Sequence, residues 1–383
     1  MQLLKDAKIV LRILKENGYE AYIVGGAVRD YLLKTELNDI DITTSAKPFQ
    51  VSKLFKTIPT GIKYGTVTVL FKDSKFEVTT FRKESEYSNN RHPEEVDFEV
   101  SAQDDVMRRD FTMNGLLMDE KGLIIDYVDG KKDIKYKIIK TIGNPVDRFN
   151  EDALRMLRAF HFESKLGFTI DEDTKEAIAN NAKLIKNISA ERVLNEILKI
   201  LQGKHLKQAL NSMVETKIHK YLPGLEKGIE FFSKEKEMPM TDIFFSLSFV
   251  LNKSVPSYWK FSNKHRHKYR TVMQLVNEKV DYGAKDLYLY GLEYCQAANR
   301  VNYILGKTSL QSLKLAKMFD ELPITSELDL KFRARDILNL TNRKAGAWVN
   351  NLLTKMVEEV LDGNLKNEYN ELKQFVLTHY ESL

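Results

Sequence analysis

The sequence contains one cysteine, Cys295, which excludes an internal disulfide, and its seven histidines are scattered with no CxxC pair, so it carries no zinc signature. No apolar run approaches the roughly 18 to 20 residues needed to cross a bilayer. The opening stretch MQLLKDAKIVLRILKENG mixes Lys and Glu into an amphipathic helical pattern instead of a signal peptide, so a cytoplasmic protein with no membrane partner is expected. A strong excess of one charge is also missing: 59 Lys/Arg against 54 Asp/Glu gives a net +5, too mild to argue for nucleic acid by itself. There is no internal repeat and no low-complexity tract. What the 383 residues do have is 43% hydrophobic content, enough for a sizeable core spread over about two to four domains.

The first 145 or so residues alternate short β-branched runs with short helical ones. EAYIV, DIDIT, TVTVLF, KFEVTTF and LIIDYV read as strands, and AVRDYLLK and PFQVSKLFK as helices. From Asn150 onward the pattern becomes long helical periodicity, as in EDALRMLRAFHFESKLG and SAERVLNEILKILQG, with no convincing strand. The expected class is α+β, a head with a sheet followed by an all-helical remainder. Weak breaks fall at Ile142 to Phe149, Lys234 to Asp242 and Glu321 to Asp329, where Pro, charge and turn residues cluster.

One stretch of the head, YIVGGAVRDYLLKTELNDIDITTS, concentrates chemistry. Gly25 and Gly26 let backbone approach a ligand closely, and the turn leads into a helix start that favours an anion. Asp39 and Asp41 stand at i and i+2 in DID, on one face if the segment is a strand. Like charges that close repel unless a cation lies between them, and Mg2+ commonly takes one or two protein carboxylates and completes its shell with water and phosphates. Glu77 in KFEVTTFR is a possible third acid, equally readable as a surface glutamate. Further along, KFSNKHRHKYR (Lys260 to Arg270) gathers Lys, Arg, His and aromatics, a composition suited to phosphate contact or to a solvated helix face.

The motif GGAVRD followed by DIDITTS resembles the nucleotidyltransferase signature of the polymerase β superfamily, in the form found in class II tRNA nucleotidyltransferases: the CCA-adding enzymes and their bacterial poly(A) polymerase relatives. The resemblance continues in order through FRKESEYSNNRHPEEVDF (Phe81 to Phe98, the flexible loop), RRDFTMNGLLMD (Arg108 to Asp119), DYVDGKKDI (Asp126 to Ile134), EDALRMLRA (Glu151 to Ala159) and SAERVLNEI (Ser189 to Ile197), with a weaker match in KFRARDILNLTNRKAGAWVNNLL near the end. It implies a polymerase β-like head with a mixed sheet (1–147), a helical neck that selects the nucleotide (148–202), a helical body (203–320) and a helical tail that binds tRNA (321–383). The implied reaction adds C, C and A to a tRNA 3′ end from CTP and ATP, with Mg2+ as cofactor, by a monomer or homodimer. Poly(A) polymerase, or a partial CC- or A-adding enzyme, is the alternative, and after these a non-catalytic RNA-binding relative. The full-length Phe81 to Phe98 loop argues against a CC-only enzyme, because such family members tend to have it shortened. No His-Asp dipeptide occurs, so the phosphohydrolase domain of some relatives is not expected.

By the same resemblance, Asp39 and Asp41 are the catalytic metal ligands. Gly26, Arg29, Arg109, Asp152, Arg155, Arg158 and His161 are the nucleotide-binding residues. The pattern of Glu151 to Leu166 agrees: Ala153, Met156, Leu157 and Phe160 share one side of a helix, and Asp152, Arg155, Arg158 and His161 fan across the other among Leu154, Ala159 and Phe162, so the charged side is expected to face a cleft. A carboxylate beside a guanidinium would match the amino group and ring-nitrogen acceptor shared by cytosine and adenine. His161 departs from the arginine many family members carry there. The helical part is expected to hold tRNA through Lys260 to Arg270 and through Arg333, Arg335, Arg343 and Lys344.

Overall fold

The computed structural model describes residues 2–84, 87–88, 92–93, 96–98 and 100–380. Much of the loop expected over Phe81 to Phe98 lies outside the described residues. Contacts divide the chain into two compact units, Met1–Thr241 with Ser257–Lys260, and Asp242–Pro256 with Phe261–Leu383.

The first unit opens with α1 (Gln2–Glu16) and then builds a seven-stranded sheet from β1 (Ala21–Val24), β2 (Asp41–Thr44), β3 (Lys56–Gly61), β4 (Thr66–Phe71), β5 (Ser74–Thr80), β6 (Leu116–Met118) and β7 (Ile124–Asp126). The strand order is β7-β6-β1-β2-β5-β4-β3, and only β2 and β5 pair in parallel, so the sheet is mixed. α2 (Gly26–Leu32), α3 (Pro48–Leu54), α4 (Ala102–Met107) and α5 (Gly130–Tyr136) complete the head. Val24, Phe81, Ala102, Val106, Leu117 and Ile142 form one of its buried clusters. Alternation in β5, with Phe76, Val78 and Thr80 buried, leaves Glu77 on the open face.

The helices that follow are α6 (Pro145–Glu151), α7 (Leu154–Leu166), α8 (Glu172–Asn181), α9 (Ala190–Leu201), α10 (Leu206–Glu215) and α11 (Glu226–Lys234). α7 is enclosed, as its apolar residues on all sides require: Ala153, Leu154, Met156, Leu157, Ala159, Phe160 and Phe162 are all buried, against α9 and α10. The expected continuous helix from Glu151 does not form. Asp152 takes an extended backbone (φ −142°, ψ 101°), and its carboxylate accepts from Leu154 N at 3.1 Å, so Asp152 lies at the break between α6 and α7 and not on α7.

Glu163 on α7 is 1% exposed; its Oε1 accepts from Ser212 and Gln208, while Oε2 is shielded and has no partner. Burial pushes its carboxyl up from 4.5 to about 7. Between those values the folded chain holds a proton that the unfolded chain has released, so stability falls as pH rises across the window, by on the order of 3 kcal/mol once above it. Glu163→Gln should therefore flatten the drop in melting temperature between pH 5 and pH 8. Equal drops in both proteins would remove this assignment.

The second unit is helical: α12 (Thr241–Asn252, of which Thr241 belongs to the first unit), α13 (Asn263–Glu278), α14 (Ala284–Ile304), α15 (Ser312–Asp320), α16 (Ala334–Thr341), α17 (Ala347–Leu361) and α18 (Tyr369–His379). α14 is kinked at Gly291, whose φ of 77° a non-glycine residue would resist. α16, α17 and α18 pack around Leu352, Met356, Leu372 and Val376. No helix among the described residues is long and apolar enough to cross a membrane.

Candidate active site

β1 runs directly into Gly25, whose φ of 76° and ψ of −138° suit glycine alone. A Cβ there would lie 3.7 Å from Arg109 Nη1 and 3.9 Å from Asp41 Oδ2, so this turn, Arg109 and Asp41 face the same space. Gly26 opens α2, and a Cβ on it would come within 3.4 Å of Arg29 Nη2. Asp41 is the first residue of β2; Asp39 lies just before the strand instead of within it. The alternation still holds, because Ile40 is 2% exposed and the acids on either side of it are exposed. Parallel pairing sets Glu77 directly across from Asp41. Although Asp41 keeps an open side, desolvation by the protein around it, Glu77 and Asp39 all push its carboxyl upward, against the pull of Arg109. Negative charge thus accumulates at one spot on the head. Among the described residues no group of three or more His, Cys, Asp or Glu is placed to hold a metal ion.

Asp105 on α4, a residue without a sequence motif of its own, organises the arginines. It is 0% exposed, takes Arg108 at 2.7 Å and Arg109 at 3.0 Å, and accepts from Thr43 Oγ1 at 3.1 Å, which ties α4 to β2. Burial opposes its ionisation, yet Arg109 and Arg108 hold its carboxyl below the ordinary range. The legible signal was the i, i+3 and i, i+4 spacing to the two arginines. Arg109 Nε is buried without an acceptor, so its guanidinium is oriented but not saturated.

A second network joins the sheet to α7. Asp110 accepts from Arg158 Nε at 2.8 Å, from Asn114 Nδ2 at 3.2 Å and from Phe111 N, and Asn114 in turn accepts from Arg29 at 2.6 Å. The guanidiniums of Arg29 and Arg158 each lie 5.3 Å from the centre of the Phe162 ring. Arg29 is 2% exposed and also bound to Asp30, so its guanidinium is held in a fixed place beside the Gly26 turn. Arg158 keeps an open edge, with a side chain 31% accessible.

Asp152 and Arg155 are joined through the backbone, Arg155 N donating to Asp152 O at 3.0 Å. Asp152 Oδ2 pairs with Arg192 Nη2 of α9 at 2.7 Å. Arg155 is 8% exposed, bound to Glu151 Oε2 at 2.5 Å and to the carbonyls of Arg148 (3.1 Å) and Arg108 (2.8 Å). These partners tie Arg155 to α6 and to the end of α4. His161 stacks on Phe162 and sets Nδ1 3.2 Å from Glu196 Oε2. Burial opposes ionisation of Glu196, but His161, Lys199 and Arg158 hold its carboxyl at about 2. Glu196 and Arg192 both come from SAERVLNEI, whose position in sequence gave no hint of their partners.

In the second unit, Lys268 and Tyr269 are committed to packing and to Asp242, and Lys268 also to Glu293; Lys264, His265, His267 and Arg270 stay exposed. Arg333, Arg335, Arg343 and Lys344 are exposed too, with Arg343 lying 4.8 Å over the Trp348 ring.

A mixed sheet that presents paired carboxylates beside a glycine turn and a braced arginine defines a nucleotidyltransferase. Residues 21–140 match the poly A polymerase head domain, 167–229 the probable RNA and SrmB-binding site of polymerase A, and 241–376 the tRNA nucleotidyltransferase domain 2. The chain is 38% identical over 389 residues to the CCA-adding enzyme of Bacillus subtilis, covering 96% of each. It is also similar to the crystal structure of the Bacillus stearothermophilus CCA-adding enzyme in complex with CTP, at 33% identity and a TM-score of 0.85, over 100% of this chain and 98% of that one. The fold recurs at 21% identity and a TM-score of 0.66 in the Thermotoga maritima CCA-adding enzyme complexed with tRNA, over 98% of this chain and 97% of that one. The chain belongs to the CCA-adding enzyme family.

Proposed function

We propose that the chain adds C, C and A in turn to the 3′ end of tRNA from CTP and ATP, releasing pyrophosphate without a nucleic-acid template. The observation that carries this reading is Asp41, with Asp39 and Glu77 beside it, facing the Gly25 turn and Arg109 in a chain with this family membership. Asp41 is fitted for a cation, since burial and two acidic neighbours oppose its charge. Asp39 and Asp41 would hold a divalent ion, taken here as Mg2+, which when bound lowers the pKa of the attacking hydroxyl and neutralises charge on the leaving group.

The protein's own groups bind and orient. Gly25 admits the nucleotide against backbone, and Arg109, fixed by Asp105, offers its remaining donors to the triphosphate. Arg158 presents its open edge to the same ligand while Asp110 holds the other. His161 belongs to this wall through Glu196. Asp152 accepts from the exocyclic amino group of cytosine or adenine; Arg155 supplies the neighbouring donor, which requires its guanidinium to leave Glu151 when a base binds. Uracil and guanine present the opposite polarity and leave buried polar groups unpaired. Head (1–147) and neck (148–202) thus carry the chemistry, and the exposed cations of the body (203–320) and tail (321–383) grip tRNA phosphates and shape.

Purified protein supplied with tRNAs ending at the discriminator base, at C or at CC, and with single nucleotides, should add C, C and A and then stop. Processive A tails would favour poly(A) polymerase; arrest after CC, or failure on every end but CC, would mark a partial enzyme.

A further inference from the structure

The carboxylate assigned above to base reading does not sit free. Oδ1 of Asp152 is fixed by Leu154 N at 3.1 Å, and Oδ2 by Arg192 Nη2 at 2.7 Å, across 40 residues of sequence. Both side chains are partly open, 20% for Asp152 and 29% for Arg192, so the ion pair adds little to stability. Arg192 Nη1 is nevertheless shielded and has no acceptor in the protein, so the contact does not use up the guanidinium as a purely structural bridge would. Asp152 is also the residue at which the chain leaves helical geometry between α6 and α7, where the backbone alone fixes the side chain poorly. Each carboxylate oxygen retains a further lone pair for a ligand donor.

We infer that Arg192 is a specificity-determining positioning residue: it clamps the Asp152 carboxylate in one plane, so that an amino group is accepted there and a carbonyl refused. This rests on the assignment of Asp152 to the base edge. A carboxylate free to rotate, or to turn its oxygens away, would meet uracil and guanine with less penalty, and discrimination would fall while the fold remained. Arg192 acts through Asp152 and need not touch the nucleotide.

The test compares Arg192→Gln, Arg192→Lys and Asp152→Asn in the full-length protein, with tRNA lacking its terminal residues, measuring kcat and KM separately for CTP, UTP, ATP and GTP. Arg192→Gln should lower the CTP/UTP and ATP/GTP ratios of kcat/KM by about tenfold or more, mainly through a raised KM for the correct nucleotide, with the melting temperature nearly unchanged. Arg192→Lys keeps the charge but not the planar fork and should give intermediate ratios; it decides the matter if the glutamine variant does not fold. Unchanged ratios in both arginine variants beside a relaxed Asp152→Asn would overturn the clamp alone. Unrelaxed Asp152→Asn would remove the base-reading assignment and the clamp with it.

Discussion

Asp41→Asn is expected to abolish nucleotide transfer, lowering kcat/KM by about a thousandfold or more, while the protein stays folded and melts no earlier than the wild type. The two halves of this result have one cause. The ionised Asp41 carboxylate is opposed by desolvation from the surrounding protein, by Glu77 across the parallel β2–β5 pair and by Asp39, so removing its charge relieves repulsion in the middle of the sheet. The same concentration of negative charge is what a divalent ion at the transferring phosphate needs, and a loss on the order of 4 kcal/mol of transition-state stabilisation corresponds to that factor. Incorporation of labelled C into tRNA, beside a thermal melt, checks both. Activity within tenfold of wild type, or a loss that tracks unfolding, would contradict the assignment.

Asp105→Ala should have the largest effect on the fold. The residue is fully buried and is the common acceptor for Arg108, Arg109 and Thr43. Its removal leaves two guanidiniums around a site that has lost its counter-charge, and breaking a buried pair in this way costs about 3 to 5 kcal/mol. For a chain of this size that is a fall in melting temperature of roughly 5 °C. Where the variant remains folded, Arg109 is no longer aimed at the space beside Gly25 and Asp41, so KM for CTP should rise as well. Calorimetry and steady-state kinetics read the two effects; a melting temperature within 2 °C of wild type would show that the arginines hold their places without it.

The head was legible because its strands obey period-two burial: TVTVLF appears as β4 residue for residue, and the GG-to-DID spacing brought Gly25 and Asp41 to facing positions. β3 was not legible, since KTIPTG contains Pro and Gly and lies exposed at the sheet edge, where pairing tolerates both. β6, the wholly buried LLM, is too short for periodicity to distinguish a strand from a helix. In the candidate site, residue types were readable but their partners were not. Helical periodicity placed Asp152 on the helix of Arg155; its backbone is extended and its carboxylate meets Leu154 N and Arg192, a residue 40 positions away. Arg29 stood out beside the glycines, but its partners did not: of Asp30, Asn114 and the Phe162 ring, the last two come from far along the chain. Such long-range pairings set which charges remain open to a ligand, and no local spacing encodes them.

The most direct test of the account is a crystal grown with CTP and Mn2+, with the metal located by its anomalous signal. The account predicts metal bound by Asp39 and Asp41, the triphosphate against the Gly25 turn and Arg109, and the cytosine amino group on Asp152. Metal and triphosphate bound away from these two aspartates would contradict it.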